Sequence, residues 1–168
     1  HAAFTAKEVA RALLKNELTA GIGIRIKPLT EELMQRSFRT LDIFISTLVK
    51  EVPGKLPPGF VVTLPKITAV DQVSALVQVF EMLENKLKLV SGALKLEFMV
   101  ETPQSIYSPE GVVALPAFIL AAKGRCVGAH FGTYDYTASC NITAAHQRMD
   151  HPVCDFAKSI MQVALAGT

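Results

Sequence analysis

Four short runs of β-branched and apolar residues, separated by segments with helical periodicity, constrain this chain more than any other feature. The runs cover 21–28, 60–66, 94–101 and 126–132. Pro28 closes the first and Thr102-Pro103 stops the third, because proline cannot donate to a sheet ladder. Between the runs, apolar residues recur every three to four positions. Thr5-Ala-Lys-Glu8 reads as a capping box opening a helix to about Leu18. Thr30-Glu31-Glu32 caps a second helix, with Leu33, Leu41, Phe44, Ile45 and Leu48 at helical spacing. A third is expected over 71–87, with Val73, Leu76, Val77, Phe80, Leu83 and Leu87 on one face. A shorter one over 110–123 is weakened by Pro116, and a last one runs over 152–166 with Pro152 in its first turn.

The resulting order, αβαβαβαβα, implies right-handed crossovers and a parallel sheet. Lys66, Glu101 and Asp135 recur about 35 residues apart, near the ~31 residues per unit of a ~250-residue (β/α)8 barrel. The expected fold is α/β: a (β/α)8 TIM barrel of which this chain holds about four βα units. The alternative is a small open parallel α/β sheet. The 168 residues suffice for a single domain, 1–168, whose core takes in Phe60, Val62, Leu64 and Met99. Four parallel strands without closure leave two open edges. The chain therefore reads as part of a barrel, completed by another segment or a partner chain.

In barrels and open α/β sheets, ligands bind at the C-terminal ends of the strands. Arg25, Lys66, Glu101 and Asp135 fall there. Neighbouring strands lie about 4.8 Å apart, so Glu101 and Asp135 are placed to share one hard cation, Mg²⁺ or a similar ion, completed by water and substrate oxygens. The same positions also suit two solvent-facing loop acids. Arg25 suits a two-pronged contact to a substrate carboxylate, or a salt bridge to one of those acids. Lys66 suits the same ligand as a point charge, or stands as a solvated loop residue. Gly128 and Gly132 permit close approach near this end, and His130, inside the fourth run, suits the core or a supporting hydrogen bond. His130, His146, His151 and the cysteines fit no zinc spacing. No phosphate-binding or nucleophile-elbow motif is present.

The charge of +2, with acids and bases interspersed, leaves no basic stripe for nucleic acid. The apolar stretch 111–122 is too short for a membrane span of ~20 residues. Cys126, Cys140 and Cys154 form an odd, widely spaced set, which points to free thiols and a reducing, cytoplasmic setting.

Four segments together resemble the HpcH/HpaI aldolase and citrate lyase beta-subunit superfamily: Gly23-Ile-Arg-Ile-Lys-Pro-Leu29, Thr63-Leu-Pro-Lys66, Met99-Val-Glu-Thr102 and Phe131-Gly-Thr-Tyr-Asp135. They come in the family's order and at about its spacing. The longer forms around Glu101 and Asp135 are most similar to an aldolase-like branch. Lys27-Pro28 departs from the pattern, since many relatives carry a small polar residue there. The resemblance implies a metal-dependent carbon–carbon lyase or aldolase that acts on a 2-oxo acid or acyl thioester through an enolate. On that resemblance Glu101 and Asp135 bind Mg²⁺ (or Mn²⁺), Arg25 contacts the substrate carboxylate or enolate oxygen, and the protein assembles as a homo-oligomer. Two other readings stay open: a phosphoenolpyruvate-handling phosphotransfer enzyme on the same scaffold, and a non-catalytic binding module.

Overall fold

The structure, a computed structural model, describes residues 1–19 and 21–168. Its four strands are β1 (Gly23–Arg25), β2 (Val61–Leu64), β3 (Lys95–Val100) and β4 (Cys126–Phe131), and they pair in parallel in chain order. Among the described residues seven α-helices accompany them: α1 (Ala2–Leu14), α2 (Met34–Glu51), α3 (Val70–Leu87), α4 (Pro103–Ile106), α5 (Leu115–Ala121), α6 (Thr133–Ser139) and α7 (Pro152–Leu165). Sequential strand order separates the two expected architectures. A doubly wound sheet reverses direction at a switch point and carries helices on both faces. Here α1, α2, α3, α5 and α7 pack one against the next in a single layer, as the outer wall of a barrel does. None of the described helices is long and apolar enough to cross a membrane.

Burial follows the strand period. Leu96, Phe98 and Val100 of β3 are fully buried against the helices, and Phe98 meets Phe118 of α5 edge-on at 6.0 Å. Lys95, Glu97 and Met99 alternate with them on the opposite, half-buried face. Phe60, Val62 and Leu64 lie in the core as expected, but Met99 does not, because the two-residue period turns it to the face of Glu97. α2 and α3 bury the anticipated apolar stripes, apart from Leu33, which precedes α2, and the partly buried Leu87.

Several boundaries differ from the sequence reading. α1 starts at Ala2, so Thr5 lies inside the helix, its hydroxyl donating to the His1 carbonyl, and Glu8 pairs with Arg11 rather than closing a capping box. α2 begins four residues after Thr30, whose carbonyl accepts from Leu33 and Met34 in a preceding turn. Pro116 does not weaken α5; it occupies the first turn, where its missing N–H costs nothing. The helix expected over 110–123 is confined to α5, and α4 and α6 were not anticipated.

A buried ion pair braces the N-terminal ends of β3 and β4. Arg125 grips Glu84 of α3 with both guanidinium nitrogens, at 2.7 and 2.8 Å, and also donates to the Leu94 carbonyl. Glu84 in turn accepts from the backbone N–H groups of Gly92 and Leu94. Burial opposes its ionisation, but these donors hold its carboxyl below the ordinary range.

Candidate active site

At the C-terminal ends of the strands, the loops are locked to one another before any functional group is placed. Thr102, just after β3, caps α4 by accepting from the Ser105 N–H, and its own hydroxyl donates to the Ile67 carbonyl. The loop after β2 is thereby fastened to the end of β3. Lys66 in that loop adopts a left-handed backbone conformation, φ +50°, a sparsely populated state for a residue with a side chain. In this conformation its N–H donates to Glu101 Oε1 at 2.9 Å. Glu101 is 2% exposed.

β4 delivers the second acid. An irregular register between Leu96 and Glu97 lets β4 gain a residue, so that Gly128 pairs with Glu97 and Phe131 with Val100. The Gly132 N–H then donates to the Val100 carbonyl at 2.9 Å, and Gly132 lies against Glu101: a Cβ there would stand 2.7 Å from Glu101 Cβ. Gly132 is thus the close-approach glycine, whereas Gly128 faces open space. The chain turns directly into α6, held by Tyr136 packing edge-on to Phe131 at 5.1 Å. Asp135 sits in the first turn of α6, not on an extension of the strand. A carboxylate is favoured there by the helix dipole.

The structure brings all four sequence-expected residues to one cavity of about 450 Å³, walled by Arg25, Lys27, Arg36, Thr40, Lys66, Glu101 and Asp135 among others. Lys66 is not a solvated bystander: its ammonium forms an ion pair with Asp135 Oδ1. Burial, and next to it the neighbouring Asp135 carboxylate, push the Glu101 carboxyl above its ordinary value, against the pull of the Lys66 N–H. Asp135 moves the other way, held low first by hydrogen bonding to Lys66 and also by the charge of Arg25. Arg25 forms no ion pair among the described residues. His130 is neither core nor part of this cavity. It lies on the open sheet face with Nδ1 3.7 Å from Glu97, whose Oε1 accepts from the Thr63 hydroxyl at 2.6 Å.

Arg36 and Thr40 escaped the sequence reading, because both lie on α2 rather than at a strand end. They stand four residues apart and so share one helix face. A basic residue in the first turn of a helix, where the dipole disfavours it, was the available signal.

A family model described as "Domain of unknown function (DUF6986)" matches residues 1–168. No curated protein matches the chain. Among solved structures, the chain is similar to a citrate lyase from Burkholderia xenovorans LB400, at 22% identity and a TM-score of 0.69 over 96% of this chain and 47% of that one. It is also similar to malate synthase from Haloferax volcanii. The magnesium/glyoxylate complex matches at 15% identity and a TM-score of 0.64, over 95% of this chain and 45% of that one. The pyruvate/acetyl-CoA complex matches at 16% and 0.63, over 95% and 42%. The likeness is one of fold: four consecutive βα units of a (β/α)8 barrel. The chain spans about half the length of these structures.

Proposed function

We propose that this chain, a member of the DUF6986 domain family, carries the metal- and substrate-binding pole of a carbon–carbon lyase or aldolase acting on a 2-oxo acid or acyl thioester. The observation that carries the proposal is the pairing of a buried Glu101 with Asp135 beside Arg25 and Lys66, in one cavity at the C-terminal strand ends. This is where barrel enzymes place their chemistry.

Glu101 and Asp135 suit a hard divalent ion, Mg²⁺ or Mn²⁺. The donor set is all oxygen, and the Asp135 carboxylate, which disfavours ionisation of the buried Glu101, would be offset by a cation between them. Among the described residues no third His, Cys, Asp or Glu joins them. Water and substrate oxygens therefore complete the coordination, as is usual for Mg²⁺. Lys66 takes one oxygen of each acid, Glu101 Oε1 and Asp135 Oδ1, and Glu101 and Asp135 would hold the ion together. When bound, the ion acts as a Lewis acid toward the 2-oxo group.

The chain's own residues do the rest. Arg25 binds the substrate carboxylate through its planar fork and supplies fixed positive charge where the enolate oxygen becomes negative. Lys66 orients both acids and adds a point charge to the same pole. We further propose that the functional form is a homo-oligomer or is completed by a further segment, because β1 and β4 each pair on one side only.

Calorimetry with Mg²⁺ or Mn²⁺, with and without pyruvate or oxaloacetate, tests the reading. Metal binding should tighten with the oxo acid and be lost in Glu101→Gln. Asp135→Asn should weaken it by roughly tenfold or more, since one of the ion's few charged ligands is gone. Arg25→Lys should lower oxaloacetate turnover while leaving metal affinity in place, because only the fork is lost. Metal affinity unchanged in both acid variants would refute the assignment.

A further inference from the structure

Arg25 is the last residue of β1, a strand of three residues that pairs with β2 alone among the described residues. The end of a short edge strand opens locally at little cost. No ion pair among the described residues holds the Arg25 side chain. Its placement therefore depends on what fixes the loop that follows, residues 26–29, which supplies Ile26, Lys27 and Pro28 to the cavity wall. The Ile26 N–H donates to the Thr63 carbonyl at 3.3 Å, and the Lys27 carbonyl accepts from the Ser37 hydroxyl at 2.8 Å. The Ser37 bond ties the loop to α2, its own continuation in the chain, and not to the acids.

Gln72 supplies the missing tie. It stands in the first turn of α3, and its amide works in two directions. Oε1 accepts from the backbone N–H groups of Thr68 and Ala69 at 2.8 and 3.3 Å, and Nε2 donates to the Leu29 carbonyl at 3.1 Å. The bonds to Oε1 are ordinary capping of α3. The bond to Leu29 joins residues 43 positions apart and caps nothing. Thr68 adjoins Ile67, whose carbonyl takes the hydroxyl of Thr102, the residue after Glu101. A line of side-chain-to-backbone bonds thus runs from the loop after β1, through Gln72 and Thr102, to Glu101.

We propose that Gln72 is a positioning residue: through the Leu29 carbonyl it holds Arg25 at a set distance from Glu101 and Asp135. One end of the substrate then meets the arginine fork while its 2-oxo group meets the acids' ion. This rests on the reading of Arg25 as the group that binds the substrate carboxylate. Gln72 is not among the residues that line the cavity, so it acts only through the loop. Such a tie matters to the chemistry, because misplacing a binding group by about 1 Å costs on the order of 100-fold in rate.

Gln72→Glu isolates the bond to Leu29. A carboxylate still accepts from Thr68 and Ala69 and suits a helix N-terminus, but it cannot donate to a carbonyl. Calorimetry on the full chain should show Mg²⁺ affinity unchanged, and pyruvate binding to the Mg²⁺-loaded protein weakened about fivefold or more, the scale of one hydrogen bond. An unchanged melting temperature would show that the variant folds. Gln72→Met, which adds no charge, should weaken pyruvate by a similar factor. Weakening in Gln72→Glu alone would be the new charge acting at a distance, and it overturns the proposal. In an Arg25→Lys background the loss caused by Gln72→Glu should shrink, because residues that act through one another are not additive; fully additive losses overturn the proposal. Hydrogen exchange at the Ile26 amide reads the same tie without any ligand. Gln72→Glu should speed it about fivefold or more and leave the α3 amides unchanged. Unchanged exchange at Ile26 reduces Gln72 to a helix cap and overturns the proposal. If pyruvate does not bind the parent protein, the substrate reading of Arg25 fails, while faster exchange at Ile26 would still support Gln72 as what holds Arg25 in place.

Discussion

Gly132 is the residue with the least room at the site. A side chain there would meet not only Glu101 Cβ but also Glu101 Oε2, at 2.8 Å. Because Glu101 is itself pinned by the Lys66 N–H, it cannot swing aside without breaking that bond. Gly132→Ala is expected to destabilise the fold by about 1–3 kcal/mol, the usual cost of overpacking, and to displace the acid. Urea denaturation reads the first effect and Mg²⁺ calorimetry the second. Glu101 also carries a pH signature. Its folded carboxyl titrates above 4.5, so between 4.5 and that raised value the folded state binds more protons than the unfolded one. Stability therefore falls as pH rises through this window. Asp135 opposes it: its contribution is present above 3.8 and is lost as pH falls through its lowered value. Glu101→Gln removes the first effect, since the amide still accepts from Lys66 and can donate to Asp135. The metal-free variant should melt above the parent at pH 7. Its stability should also no longer decline from acid to neutral pH. A thermal scan across pH in chelator would show otherwise if Glu101 were relaxed in its ionised form.

At the scale of elements, the loops do the positioning and the ion pair beneath them holds the strands in register. Lys66 has two separable jobs, one in its backbone and one in its side chain. Lys66→Gly keeps the N–H for Glu101 and relieves a left-handed conformation that costs roughly 1–2 kcal/mol with a side chain. The fold should therefore be retained or strengthened, while Asp135 loses its ammonium partner. Its carboxyl should then titrate higher, which an NMR pH titration would read directly. An unmoved Asp135 would mean that Glu101 and Arg25, not Lys66, set its charge state. At the other end of the sheet, Arg125→Met strands Glu84, which is 2% exposed, without its cation. Breaking a buried pair in this way costs about 3–5 kcal/mol. Adding Glu84→Gln should restore part of that loss in chemical denaturation, because no buried charge then remains.

For the whole molecule, the open arc sets the behaviour in solution. Among the described residues β4 has one strand partner, and its Val127, 61% exposed, lines a groove with Ile119 of α5 and Leu165 of α7. An unpaired parallel edge flanked by apolar side chains invites another strand or another copy. Sedimentation velocity is expected to show concentration-dependent association of this chain, reduced by Val127→Lys. A strictly monomeric profile at all concentrations would argue against the oligomer proposed above. The same openness bears on the site, since the cavity is walled from the β1 side by α2 and its loop alone.

The strands, the helices and the strand-end charges were legible in the chain itself, because burying one face of a strand or helix imposes a period that local sequence must carry. Leu96, Phe98 and Val100 announce β3, and the stripe from Val73 to Leu83 announces α3. The same logic placed Arg25, Lys66, Glu101 and Asp135 at one end, since each lies at or just beyond the close of an apolar run. What the local pattern could not carry was anything that depends on contacts between distant segments. α6 has only seven residues, rich in β-branched and hydroxyl side chains of poor helix propensity. It exists because Tyr136 packs on Phe131 and the chain end of β4 is anchored to Val100. The register shift that sets Gly132 against Glu101 arises only when β4 pairs with β3. Lys66 found Asp135, and Arg36 joined the cavity, because parallel pairing brings strand ends together and α2 folds back over them. These are energies of a closed three-dimensional arrangement, and no run of neighbouring residues contains them.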